Sequence, residues 1–270
     1  GNRGIEPLPN WEFKFVTANT LIGLEKGNTL GKDMTFDFGE TSELQNQLQK
    51  IRSAYLQATP TDKQKLKTDF EKLQTQIYKN EIKAGGQNKR AQQLAAWKPF
   101  SNEGSSWFDP DWMFGVEKFD VVIGNPPYID SETMVKSGKQ DFRDYLVKRF
   151  KYCKGNWDIY IPFFELSYEL LSKNGVLTFI TPDKWTSKPF GKALRENLFF
   201  NMSKIVIAGR DVFETAKVDA IITFFTNKKN KNIESYSFSK KNHSLEKVNS
   251  FETDKLKNDF VFDMFFFNNV

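Results

Sequence analysis

Apolar and polar positions divide the chain into stretches of different period. Residues 11 to 24, WEFKFVTANTLIGL, open with Trp11, Phe13 and Phe15 alternating with Glu12 and Lys14, which predicts a short strand ending near Asn19. A loop punctuated by Gly23, Gly27 and Gly31 follows. From about Thr41 the period lengthens. Leu44, Leu48, Ile51 and Tyr55 recur at helical spacing, TPTD interrupts, and Leu66, Phe70, Leu73 and Ile77 resume the stripe to about Ile82. Ser, Thr and Asp caps and Gly85-Gly86 bound the pair. They predict an αα-hairpin of largely charged helices, which reads as an insertion on a domain rather than a domain with its own core.

The second half alternates between strand and helix. NEGSSWFDPDWMFGVEKFD is an aromatic-rich loop leading into an apolar strand at 119–124. A helix is expected over about 160–171, stopped by SKNG, with a buried strand VLTFI at 176–180. A helix over about 190–198 and strands at 204–208 and 219–226 follow. This order predicts an α/β fold with a mainly parallel sheet. GRDVFETAKV is too short for a crossover helix, so the last two strands should form an antiparallel hairpin. Beyond Asn227 the sequence turns to Lys, Asn and Ser, and 228–270 reads as a linker and the start of another module with a Phe-rich end.

Composition narrows the chemistry. With a single Cys153 and a single His243, a zinc centre or a nucleophile–histidine machine has few candidate residues. One cysteine fits a reducing, cytoplasmic compartment. A mean hydropathy of −0.56 and the lack of a long uncharged apolar run predict no membrane span, and no secretory signal pattern opens the chain. Residues 204–257 hold eleven Lys or Arg against seven Asp or Glu, so +4 of the net +5 falls there. A solvated surface accounts for that charge, and a polyanion-facing surface is the alternative; Arg210 and Lys217 are its candidate phosphate contacts.

The strand at 119–124 ends in Asn125-Pro126-Pro127-Tyr128. In open α/β sheets ligands bind beyond the carboxyl ends of strands. Two prolines stiffen the backbone there, and Asn125 is pushed toward extended geometry by the proline that follows it. Such a loop presents a side-chain carbonyl, backbone carbonyls without competing N–H donors, and an aromatic face. It suits a planar ring bearing an exocyclic amino group, with Asn125 and Pro126 oxygens accepting the amino hydrogens and Tyr128 stacking on the ring.

NPPY after an apolar strand resembles motif IV of the S-adenosylmethionine-dependent amino-group methyltransferases, especially the adenine-N6 DNA methyltransferases. DIYIPFFELSYELLSKNGVLTFITPDKW (158–185) resembles the family's next helix and strand, in which Phe163 would pack on the cofactor's adenine. DVFETAKVDAIITFF (211–225) resembles the late hairpin, whose Phe213 would stack on the far face of an extruded base. FVTANTL (15–21) resembles the segment whose polar residue, here Asn19, meets the cofactor's adenine amino group. The opening LPNWEFKF and the charged helical insertion are most similar to the type IIG restriction–modification enzymes.

The resemblance covers about residues 8–227. It implies a partial Rossmann-like methyltransferase sheet with an antiparallel terminal hairpin and a helical-hairpin insertion at about 41–95, forming a partial catalytic domain over 1–227. Residues 228–270 would be the linker and the start of a target-recognition region. The implied partners are S-adenosylmethionine, duplex DNA and the rest of a parent polypeptide in a bacterial or archaeal cytoplasm. No Gly-x-Gly turn stands upstream of Asn19, and LIGLEKGNTLGK is a poor match for one. The cofactor site is therefore expected to be incomplete, and the isolated chain a fragment without activity. The same loop would also serve a glutamine amide in a protein methyltransferase, or RNA. A non-enzymatic nucleic-acid-binding fragment is the reading from another class.

Overall fold

A computed structural model describes residues 12–26, 38–85, 89–101, 103–212, 218–239 and 241–253. The chain divides into two compact units, Gly1–Glu117 and Lys118–Val270.

The first unit holds the expected helical hairpin, α1 (Phe38–Gln57) and α2 (Pro60–Gly85), followed by α3 (Lys89–Ala96) and the short α4 (Pro110–Phe114). TPTD breaks the helix for a local reason. Pro60 lacks the N–H that an interior position needs, and the Thr59 hydroxyl accepts from the Asp62 N–H (3.4 Å) to restart the chain as α2. The hairpin is more than a charged appendage, because a core of its own covers its apolar stripe. Leu44, Leu48, Tyr55, Phe70 and Ile77 pack with Phe13, Leu94, Trp97, Trp107, Trp112 and Met113. Phe13 is the hub, with ring centroids 5.3 Å from Tyr55, 5.0 Å from Phe70 and 5.3 Å from Phe100. Buried aromatic rings of this kind contribute about 1.5–3 kcal/mol each. Gln93 fastens the arriving chain to α3: its amide donates to Gly23 O (3.1 Å) and accepts from Glu25 N–H (2.8 Å).

The strand expected at the start of this unit does not form. Glu12–Lys14 is a turn that drops Phe13 into the core and leaves Phe15 66% exposed. One ring position was available between the helices, so the alternating aromatics serve a turn rather than a sheet face. Residues 15–24 meet 105–108 through two isolated parallel bridges, Ala18 to Ser105 and Gly23 to Phe108.

The second unit runs β1 (Phe119–Gly124), α5 (Ser131–Lys136), α6 (Gln140–Arg149), α7 (Tyr160–Glu169), β2 (Leu171–Pro182), α8 (Lys192–Leu198), β3 (Met202–Gly209), β4 (Ala220–Thr226), β5 (Asn232–Ser239) and β6 (Ser244–Glu252). The six strands form one sheet in the order β1-β2-β4-β3-β5-β6. β1, β2, β3 and β5 run one way, and β4 and β6 oppose them. The α/β reading holds, and β3 and β4 are antiparallel as their short connection requires. Phe164 of α7 anchors the core, with its ring 5.1 Å from Phe179, 5.6 Å from Trp185 and 5.7 Å from Phe225.

Two details differ from the sequence reading. SKNG ends α7 but is itself part of β2, as a bulge between the Phe119–Leu171 and Val121–Val176 pairings. Gly175 is required there: a Cβ would lie 3.0 Å from Phe119 O and 2.8 Å from the Leu171 side chain. Residues 232–252 are not linker but a hairpin in the sheet, β5 pairing with β3 and β6 with β5. Small polar residues such as Ser235, buried without breaking the ladder, hid this from composition. Among the described residues, no helix is long and apolar enough to cross a membrane.

Candidate functional site

The NPPY loop leaves the carboxyl end of β1. Gly124 sets its starting position, because a Cβ there would meet the Phe179 ring at 2.7 Å; glycine lets the loop settle directly on β2. Asn125 and Pro127 are exposed, Pro126 is buried and Tyr128 half-buried. The Tyr128 hydroxyl donates to Asn125 Oδ1 (2.8 Å), with the Ile180 carbonyl of β2 as a longer second acceptor at 3.3 Å. Burial pushes the Tyr128 phenol up to about 12, so it stays protonated and keeps donating at neutral pH. The contact fixes the Asn125 amide with its oxygen engaged on one lone pair and the other open. Among the described residues nothing donates to the Pro126 carbonyl. The loop therefore presents two carbonyl oxygens of adjacent residues on a backbone that has lost two N–H groups.

Behind the loop lies a polar group that the sequence reading did not single out. Tyr160 packs its ring edge-on to Tyr128, with centroids 6.3 Å apart at 84°. Asp158 pairs with Asp130 across an antiparallel bridge, and Ile159 N–H donates to Ile129 O (2.9 Å). These bonds tie the start of α7 to the residues following Tyr128. Burial pushes the Asp158 carboxyl up to about 6; Lys184 pulls the other way and Asp130 adds repulsion. Asp158 Oδ1 and the Tyr160 hydroxyl are buried without a hydrogen-bond partner among the described residues. Asp-Ile-Tyr at the head of an apolar helix was the available signal: two polar groups placed where packing alone asks for none.

α7 separates its two phenylalanines. Phe164 is fully buried in the core, whereas Phe163, the candidate cofactor-stacking ring, is only partly buried. Asn19 belongs to the first unit and is exposed; its N–H donates to Ser105 O (2.9 Å) and its carbonyl accepts from Ile22 N–H (3.1 Å). Phe213, the candidate second base-stacking ring, and Lys217 lie outside the described residues. Arg210 is exposed but engaged, its Nε donating to both Asp219 oxygens at 3.1 and 3.0 Å. The same Asp219 accepts at its backbone carbonyl from Asp183 N–H (2.9 Å), joining the end of β2 to the start of β4.

Comparison with known proteins gives the chain's family. The family model described as Eco57I restriction-modification methylase matches residues 28–213, more than half of the chain. The type II methyltransferase M.BstVI of Geobacillus stearothermophilus is 28% identical over 50% of this chain and 25% of its own length. The type II restriction enzyme and methyltransferase RM.Eco57I of Escherichia coli is 31% identical over 42% of this chain and 11% of its own. Among solved structures, the type IIG restriction endonuclease BpuSI superposes with a TM-score of 0.34 at 23% identity, covering 44% of this chain and 15% of that one. The chain thus spans a quarter or less of the length of these relatives. By the extent of the family match, the chain belongs to the Eco57I restriction-modification methylase family.

Proposed function

We propose that the chain carries the catalytic loop of an S-adenosylmethionine-dependent DNA methyltransferase that acts on the amino nitrogen of a flipped adenine. In this reading it is one part of a larger cytoplasmic restriction–modification enzyme. The observation that carries the proposal is the pair of acceptors at the carboxyl end of β1: Asn125 Oδ1, held by Tyr128, and the Pro126 carbonyl, which accepts from no described donor.

An aromatic amine is a weak nucleophile because its lone pair is spread into the ring. Two acceptors drawing on its hydrogens turn the nitrogen toward sp³, localise the pair and stabilise the positive charge that develops on attack. Tyr128 and Phe213 would hold the extruded ring between them. The methyl group comes from S-adenosylmethionine. Phe163, partly buried on α7, would stack on its adenine. A glycine-rich strand-end turn and an acidic ribose partner would complete such a site.

The sheet edge supports the reading of the chain as a fragment. β1 reads FDVVIG, a near-continuous apolar run of the kind found in strands buried on both faces. It lies at the edge, with Val121 58% and Ile123 75% exposed. An apolar parallel edge of this kind is a site for further chain, here the upstream cofactor-binding half. The target-recognition region would continue downstream of the β5–β6 hairpin. The restriction function in the name of one relative favours DNA over a glutamine side chain or RNA.

The test is expression of the full-length parent in cells followed by methylation-sensitive digestion of their DNA and nucleoside analysis of the hydrolysate. Protection at specific sites together with N6-methyladenine is expected. Unmodified DNA alongside methylated glutamine or RNA would overturn the proposal. Within the same enzyme, Tyr128→Phe keeps the ring and loses the anchor on Asn125. A partly exposed hydrogen bond contributes about 0.5–1.5 kcal/mol, so single-turnover methylation should slow by roughly 3- to 10-fold with DNA affinity unchanged.

A further inference from the structure

Immediately after the NPPY loop the chain becomes basic. Between Ser131 and Trp157 there are seven Lys or Arg and three Asp or Glu, a net +4 in a chain whose total is +5. The charges sort into two places. Arg149 is paired with Glu169 (2.7 Å) at the foot of α7, away from the loop. Lys136, Lys139, Arg143 and Lys154 gather at the other end. Lys136 and Arg143 line an open hollow of about 510 Å³ together with Ser131, Glu132, Gly155 and Asn156. Lys154 precedes Gly155 in the turn that closes it, and Lys154 and Arg143 are both near enough to Cys153 to oppose the burial that raises its thiol.

Little nearby charge neutralises this group. Lys136, Lys139 and Lys154 make no ion pair with any described residue, and Arg143 shares one with Asp144 (3.1 Å). Asp144 is also held by the Gln140 amide at 2.8 and 2.9 Å. Asp130 is engaged in capping α5, where it accepts from the Thr133 N–H and hydroxyl, and these bonds hold its carboxyl below the usual carboxylate range. Glu132 is the one carboxylate lining the hollow. Gly138 and Gly155 take left-handed φ of 76° and 68° with nothing within 4 Å of a Cβ position, so both Lys-flanked turns are open to an approaching ligand.

We propose that this hollow holds a backbone phosphate of the nucleic-acid strand that carries the target base. The inference rests on the methyltransferase reading. Only two residues, Ile129 and Asp130, lie between Tyr128 and α5, so a phosphate here sits beside the base pocket. Extruding a base rotates its nucleotide about the backbone, and a cationic grip on that backbone fixes register without reading sequence.

The experiment measures fluorescence anisotropy of a labelled duplex with one mismatched adenine, titrated with the full-length parent enzyme across a salt series. K136Q/K139Q/R143Q is compared with K228Q/K229Q/K231Q, an equal charge change in the β4–β5 turn, at the end of the strands away from the NPPY loop. Each phosphate contact contributes about 0.9 to the slope of log K against log salt. The hollow variant should flatten that slope by about 1 and weaken binding roughly tenfold, while the control keeps the wild-type slope. Should the triple variant melt early by circular dichroism, Lys136→Gln alone is expected to give about half the slope change. Equal losses in both variants, or no loss in the hollow variant, would overturn the phosphate site and leave the methyltransferase reading standing. A wild-type parent enzyme that binds no DNA at low salt would overturn both.

Discussion

Asn125→Ala in the parent enzyme is expected to slow methyl transfer by about 100- to 1,000-fold, the range for removing one preorganised group that stabilises developing charge. The substitution deletes one of the two acceptors and frees the Tyr128 hydroxyl that had fixed it at 2.8 Å. It leaves the Pro126 carbonyl and the stiff loop in place. Because Asn125 is exposed, its loss opens no core cavity, so folding should not change. DNA affinity should stay within about threefold, since phosphate contacts rather than this amide supply most of it. Asn125→Asp keeps an oxygen acceptor at the same position and should retain measurable activity. Single-turnover methylation beside an anisotropy titration separates the two effects. An Ala variant keeping a tenth or more of the wild-type rate would mean that Asn125 is not the amino-group acceptor.

How far these features were legible depended on whether they had a period or a rigid local rule. The helical hairpin was visible because Leu44 through Ile77 repeat at helical spacing, and the strand-end loop because consecutive prolines after Asn125 allow few backbones. The core of the first unit was not. Trp97 and Trp107 arrive from irregular chain and Trp112 and Met113 from the short α4, and no periodicity announces that their side chains will cover α1 and α2. Phe13 and Phe15 misled for the same reason, since alternation cannot tell a strand from a turn that buries one ring. The β5–β6 hairpin was obscured by its polarity, because a terminal hairpin in a sheet can carry Asn, Ser and Lys on its wet face. Asp158 needed the fold itself: its raised carboxyl follows from burial against the loop, which no spacing in the sequence encodes.

The isolated 270 residues are expected to bind S-adenosylmethionine weakly or not at all. A micromolar site corresponds to about −8 kcal/mol, and a pocket without ribose and strand-turn contacts would keep about half of that, a millimolar site of about −4 kcal/mol. Stacking on Phe163 would be a minor share of such a total. Isothermal calorimetry at tens of micromolar chain should therefore show no binding heat, whereas a longer chain carrying the upstream residues should bind at micromolar concentrations. The edge of β1 supplies an independent arm. Val121→Lys and Ile123→Lys place charges on side chains that are 58% and 75% exposed in this chain, so its melting temperature should hardly move. In the longer chain the same positions would be covered by the added half, and each lysine should then destabilise the fold and abolish cofactor binding. Micromolar binding by the 270 residues themselves would refute the fragment reading. Lysines at 121 and 123 tolerated equally in both lengths would show that the missing half packs elsewhere.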